Sequence, residues 1–247
     1  MTSPAKVVHG ACLDIMVKIP DKRLDMILCD LPYGTTACAW DTIIPFAPLW
    51  EQYERIIKDN GAIVLTASQP FTSALIMSNV KMFKYCWYWE KERLTNIAQV
   101  KRRAGKTVEE CCVFYKKQPV YNPQMVPYLG KKRTNKVKNG VMGKLTDSSE
   151  KKVREYQDTG WRYPTQVLKF QRDTLVSNLH PTQKPVALFE YLIRTYTNPG
   201  DLVLDNCAGS GTTGVACQNL NRGFILIEKE AEYAEVIKQR LANNASP

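Results

Sequence analysis

Apolar positions in the first ninety residues follow two rhythms. Unbroken apolar runs at 5–10 (AKVVHG), 24–30 (LDMILCD) and 62–68 (AIVLTAS) predict strands covered on both faces. Residues 45–58 instead place Phe46, Leu49, Trp50, Tyr53, Ile56 and Ile57 at helical spacing, which predicts an amphipathic helix stopped by Asn60-Gly61. A second helix is expected over 70–79, an aromatic-rich strand over 84–92 (KYCWYWEKE) and a further strand over 110–117 (ECCVFYKK). The alternation resumes late in the chain. A helix opened by Pro185 (186–197), a strand (201–206), a helix (211–221), a strand (223–229) and a closing helix (230–243) follow in turn. Alternation of this kind predicts an α/β fold with a mostly parallel sheet covered by helices.

Between these two blocks the pattern fails. Residues 118–178 are rich in lysine, glycine and proline, and the stretch 131–144 (KKRTNKVKNGVMGK) has no sustained period. So little apolar surface cannot offset the entropy of ordering the chain. The expected organisation is one sheet built from 1–117 and 179–247, interrupted by an insertion at 118–178.

Charge sharpens this division. The chain carries a formal net charge of +10. Residues 91–172 hold 20 Lys/Arg against 7 Asp/Glu, while the remainder holds 14 against 17, so the whole excess lies in the middle. A polyanion is the expected partner, because basic side chains gain by releasing counterions from phosphates. Arg102, Arg103, Lys131, Lys132 and Arg133 are the candidates for phosphate contact.

Other classes are poorly supplied. The eight cysteines include no Cys-x-x-Cys pair and sit largely in apolar runs, which predicts reduced buried thiols. Only two histidines are present, so no metal site is expected. The first residues lack an apolar run of signal-peptide length, and nowhere do about 18 apolar residues run together. A cytosolic protein with no membrane partner is expected.

Two turns carry the candidate chemistry. In 203–216 (VLDNCAGSGTTGVA), Gly209 and Gly211 lie between a strand and a helix, where a backbone without side chains lets a ligand approach free N–H groups. Asp205 ends the strand before this turn and Glu228 ends the next one. An acid at the second position can hold both hydroxyls of a ribose, and one at the first can accept from an ammonium group. Two acids that merely start turns are the alternative. The second turn is DLPYG (30–34), where a buried strand ends in an acid, a proline and an aromatic ring.

Together these segments resemble the β-class amino-methyltransferases of DNA. DLPYG is similar to their catalytic Asp/Asn/Ser-Pro-Pro-Tyr motif, DNCAGSG (205–211) to their S-adenosylmethionine loop, and HPTQKP (180–185) to the segment before that loop. The resemblance spans the chain outside 118–178. It implies a Rossmann-like, doubly wound, circularly permuted fold with a seven-stranded sheet and a basic target-recognition insertion. It also implies S-adenosyl-L-methionine as cofactor, double-stranded DNA as partner, a flipped-out target base, and a homodimer as a further expectation. The short chain suggests a solitary enzyme of phage or prophage type.

The implied roles fall on particular residues. Asp30 and the carbonyl of Leu31 would accept the two N–H bonds of an exocyclic amine, Pro32 would stiffen the turn, and Tyr33 would stack on the base. Ala11, Cys12, His180, Lys184, Asp205, Cys207, Ala208, Gly209, Gly211, Thr212 and Glu228 would line the cofactor, with Asp30 at its border. Two departures stand out: Ala11 replaces the usual acid of a Gly-Asp segment, leaving that contact to backbone or to Asp14, and Leu31 replaces the commoner proline. Asp41 is either a helix N-cap or a substrate contact beside Trp40, and Trp87, Tyr88 and Trp89 are expected to pack the sheet.

The leading Asp of the motif points to adenine N6, whereas members acting on cytosine N4 more often begin with Ser. A catalytically silent nucleic-acid-binding partner would be expected to lose Asp30, Tyr33, Gly209 and Gly211. A dinucleotide dehydrogenase would leave DLPYG unexplained. The charge asymmetry predicts that the logarithm of DNA affinity falls with the logarithm of salt by about 0.9 per neutralised phosphate; a binding titration across salt concentrations checks this, and a flat response contradicts it.

Overall fold

The computed structural model describes residues 4–35, 38, 41–130, 159–173 and 183–244. They form ten strands and six α-helices in the order β1 (Ala5–His9), α1 (Cys12–Met16), β2 (Leu24–Asp30), α2 (Phe46–Ile56), β3 (Ile57–Ala67), α3 (Phe71–Ser78), β4 (Phe83–Glu90), β5 (Val108–Phe114), β6 (Val126–Pro127), β7 (Trp161–Arg162), β8 (Val167–Lys169), α4 (Val186–Tyr196), β9 (Leu202–Asp205), α5 (Thr212–Asn219), β10 (Gly223–Glu228) and α6 (Ala231–Asn244). The described residues within 1–122 and 166–247 make one compact unit and those within 123–165 another. Within the smaller unit β6 pairs antiparallel with β7, and the guanidinium of Arg162 lies 4.1 Å from the centre of the Tyr128 ring.

The larger unit holds one sheet in the order β1-β10-β9-β2-β3-β5-β4-β8. Only β5 opposes its neighbours; the remaining pairings are parallel. The expected seven strands are therefore joined by a short eighth, Val167–Lys169, which pairs with Tyr88–Glu90 at the edge. Its residues fall inside 118–178, so the separate unit is narrower than that range.

Both faces of the sheet are covered, which explains the unbroken apolar strands. In β2, Ile27 and Cys29 pack with Leu49, Tyr53 and Ile56 of α2, while Met26 and Leu28 pack with Leu192 of α4 and Val215 of α5. Successive residues thus bury to opposite sides. Burial of one such side chain contributes about 1.5–3 kcal/mol.

Asn60-Gly61 does not end an element. Helix α2 gives way directly to β3 at Ile57, and Gly61 lies inside that strand, where its pairing with β2 shifts register between Leu24 and Met26. A Cβ at Gly61 would come within 2.7 Å of Ile57 Cδ1 and 2.9 Å of the Asp25 carbonyl oxygen. The glycine therefore serves close backbone approach at a strand irregularity.

The chain order in the sheet reverses between β9 and β2. From β2 the chain winds towards β3, and from β9 it winds towards β10. The loops leaving these two strands diverge, and the crevice between them at the carboxyl ends is the natural ligand site of a doubly wound sheet. Gly61→Ala should destabilise the fold by about 1–3 kcal/mol through overpacking against fixed backbone, read as a lower urea midpoint with an unchanged slope.

Candidate active site

A cavity of about 990 Å³ opens at that crevice. Its walls come from the ends of β1, β2, β9 and β10, so residues distant in sequence converge: Ala11, Asp30, Lys184, Asp205, Gly209 and Glu228 all line it.

Asp30 is the most heavily hydrogen-bonded group of the DLPYG turn. Its Oδ1 accepts from the Tyr33 hydroxyl at 2.7 Å and from the Thr66 hydroxyl, and its Oδ2 accepts from the Lys184 ammonium at 2.6 Å. Tyr33 is thereby fixed at its oxygen, and one ring face stacks on Phe71 with centroids 5.2 Å apart. Burial, with the Asp30 charge beside it, holds the Tyr33 hydroxyl well above its ordinary pKa, so it stays a donor. Leu31 is buried in the core and also borders the cavity, which accounts for an apolar side chain at this turn position.

Asp41 acts neither as the N-cap of α2, which begins at Phe46 after Pro45, nor as a bare cavity wall. Its Oδ1 and Oδ2 accept from the backbone N–H groups of Gly34 and Thr35, each at 2.9 Å. Gly34 has φ +66°, a value that L side chains rarely adopt. The carboxylate thus clasps the turn just beyond Tyr33.

Across the cavity, Asp205 is almost wholly buried. Its oxygens accept from the Thr213 hydroxyl at 2.5 Å and the Cys207 N–H at 3.1 Å. Burial pushes its pKa up to about 6 despite those bonds. Glu228 accepts from the Gly209 N–H at 2.7 Å and the Glu230 N–H at 2.9 Å, and burial raises its pKa as well. Gly209 and Gly211 have φ of +53° and +80°, and a Cβ at Gly211 would stand 3.1 Å from Ile237 Cγ2. Both glycines are thus demanded by the loop's own shape.

The DNA methylase family model for N6/N4 methyltransferases matches residues 24–239. The chain belongs to this S-adenosylmethionine-dependent family. Among curated proteins, the type II methyltransferase M1.MboII of Moraxella bovis is 27% identical over 252 residues, covering 92% of this chain and 93% of that protein. The DNA adenine methyltransferase YhdJ of Escherichia coli K12 is 28% identical over 251 residues, covering 95% and 82%. The solved complex of M1.HpyAVI with SAM matches with a TM-score of 0.63 at 27% identity, over 96% of this chain and 99% of that one.

Other expected residues of this DNA methylase divide. Cys12, Asp14, Cys207, Ala208 and Thr212 line the same cavity. His180, Lys131, Lys132, Arg133 and Trp40 lie outside the described residues. Arg102 and Arg103 are exposed on the connection between β4 and β5, whereas Lys106 and Arg172 reach the cavity wall. Trp87 and Trp89 are buried, donating to the Tyr196 hydroxyl at 2.7 Å and the Phe170 carbonyl at 2.8 Å; Tyr88 is partly exposed. Of the eight cysteines five are buried, Cys12 and Cys207 are half-buried, and Cys38 is exposed.

Sequence reasoning missed Thr66, Lys91 and Glu109. Lys91, just past the end of β4, forms an ion pair with Glu109 of the neighbouring β5, and Glu109 Oε2 lies 3.7 Å from the Lys184 ammonium. Burial lowers the pKa of both lysines. At Lys184 the Asp30 and Glu109 charges more than reverse this, leaving it raised; at Lys91 burial prevails. Among the described residues, three buried side-chain polar atoms lack a hydrogen-bond partner, Ser68 Oγ, Glu109 Oε2 and Gln183 Nε2, and all three residues line the cavity. Each unsatisfied group costs about 1–3 kcal/mol, which a bound ligand can recover.

Asp205 gives a pH signature. With its folded pKa above the ordinary carboxylate value, the folded state holds the extra proton between roughly pH 4 and 6. Its stabilisation is therefore full below that window and lost as pH rises through about 6. Relative to Asp205→Asn, the wild type should lose on the order of 2–3 kcal/mol across the window, measured as the difference between the two proteins' unfolding free energies at each pH.

Proposed function

We propose that this protein transfers the methyl group of S-adenosylmethionine to the N6 amine of an adenine in double-stranded DNA. The observation that carries the reading is the Asp30 carboxylate, fixed from three sides at the wall of a cavity it shares with the glycine loop. Adenine is favoured over cytosine by the leading Asp and by the likeness to YhdJ, whose name specifies adenine.

The cavity suits an adenosine bearing a cationic amino-acid tail. Asp205 is a buried acid whose raised pKa an adjacent ammonium would bring back down. Each Glu228 oxygen holds one backbone N–H and keeps a lone pair for a ribose hydroxyl. Ala11 and Cys12, at the opening of α1, offer backbone to the adenine, and Gln183 Nε2 is a donor without a partner. When bound, S-adenosylmethionine supplies an electrophilic methyl group on a sulfonium.

The chain's residues then act by positioning. An exocyclic amine is a poor nucleophile because its lone pair is delocalised into the ring. Asp30 and the Leu31 carbonyl accept its two N–H bonds and favour a pyramidal nitrogen with its lone pair aimed across the cavity. Tyr33, backed by Phe71 and with the Lys184 ammonium 5.5 Å from its ring centre, supplies an aromatic surface for the base. Such stacking contributes about 1–3 kcal/mol, against a flipping cost of a few kcal/mol. Bond formation leaves one proton in excess on the nitrogen, and Asp30, already accepting that N–H, takes it.

Incubation with unmethylated DNA and cofactor labelled in the methyl group should yield N6-methyladenine on nucleoside analysis. Asp30→Ala should lower the rate by about 10²–10³-fold or more. Label in N4-methylcytosine would overturn the adenine reading, and full activity in the variant would overturn the role of Asp30.

A further inference from the structure

Lys184 stands between two carboxylates. Its ammonium bonds Asp30 Oδ2 at 2.6 Å and lies 3.7 Å from Glu109 Oε2, an atom buried without a hydrogen-bond partner. The other oxygen of Glu109 is taken by Lys91, itself almost wholly buried. Glu109 is thus anchored at one oxygen and open at the other. Asp30 is loaded in the complementary way. Its Oδ1 already accepts two hydroxyl donors, so an arriving amine meets the carboxylate at Oδ2, where the ammonium sits.

We propose that Glu109 is a positioning residue that gives the Lys184 ammonium a second seat, freeing Asp30 Oδ2 for the amine of the target base. The inference rests on the reading of Asp30 as the amine acceptor. A movement of Nζ by about 1 Å would turn the 3.7 Å approach into a charge-assisted bond of ordinary length. The four-carbon stem of lysine permits such a movement. The ammonium would keep a carboxylate partner throughout, and Asp30 Oδ2 would exchange it for the N–H of the amine, so no group at the site is left without a polar partner. Lys91 completes the arrangement by holding Glu109 in place, so that the carboxylate waits for the ammonium instead of following it to Asp30. Without Glu109 the ammonium has no charged alternative and competes with the amine at Oδ2.

A double-mutant cycle tests this on the full chain. Glu109→Gln keeps the shape and removes the charged seat; it should lower kcat/KM for DNA about tenfold, with the dissociation constant for S-adenosylmethionine changed by less than about twofold. In a Lys184→Met background, itself less active, the same substitution should cost less than about twofold more, because no ammonium remains to be reseated. Thermal unfolding of each variant identifies any loss that comes from folding, and Glu109→Asp, which withdraws the open oxygen but keeps the charge, gives the same comparison if the glutamine variant does not fold. Equal losses in the two backgrounds would overturn the proposal, as would loss of cofactor affinity in Glu109→Gln. A wild-type protein that binds the cofactor yet methylates no DNA would overturn the functional reading, and this inference with it.

Discussion

The site depends on a short pairing between strands that are far apart in the chain. β2 and β9 meet in parallel at Met26–Val203 and Ile27–Leu204, and Asp25 Oδ2 secures the start by accepting the Leu202 N–H at 3.0 Å. That register brings Asp30 and Asp205 to the same edge of the sheet. Everything else follows from the reversal of winding on either side. The two loops part, a cavity opens between them, and one carboxylate faces it from each strand. A slip of one residue would turn the side chains of one strand to the opposite face, so the buried alternation of β2 is also what aims Asp30.

The second constraint is charge in a dry setting. Asp30, Lys184, Glu109 and Lys91 form a row of alternating sign, mostly buried. Such rows add little net stability once desolvation is counted. Their effect is geometric, since each group is held by the next and the Asp30 carboxylate keeps its orientation at the cavity wall. Asp205 and Glu228 are handled differently. They are surrounded by N–H and hydroxyl donors, and burial leaves their pKa values raised. One side of the cavity is neutralised internally, and the other is left suited to a cationic guest.

Much of this was readable in the residues, for reasons that can be named. β2, β9 and β10 are sandwiched between helices, so their apolar runs are unbroken; the two turns are marked by glycines at positive φ and by acids at strand ends. Other features depend on tertiary contacts that no local pattern carries. Gly61 reads as a stop until the Asp25 carbonyl is known to pass close by. α1 is only five residues long, too short to show a period. Lys91 and Glu109 are eighteen positions apart and meet because β4 and β5 pair in a register that sets Trp89 opposite Glu109. Lys184 could be read as a cofactor neighbour from its motif, but its bond to Asp30 needed the fold.

The Asp41 clasp fixes the turn from within. Because its carboxylate ties down the backbone at Gly34 and Thr35, the turn that carries Tyr33 is closed by its own hydrogen bonds. Two bonds to a single carboxylate hold a left-handed glycine and its neighbour, so the backbone beyond Tyr33 is set before any guest arrives. The cavity wall on this side is therefore preorganised, and a ligand entering there need not supply the cost of ordering it.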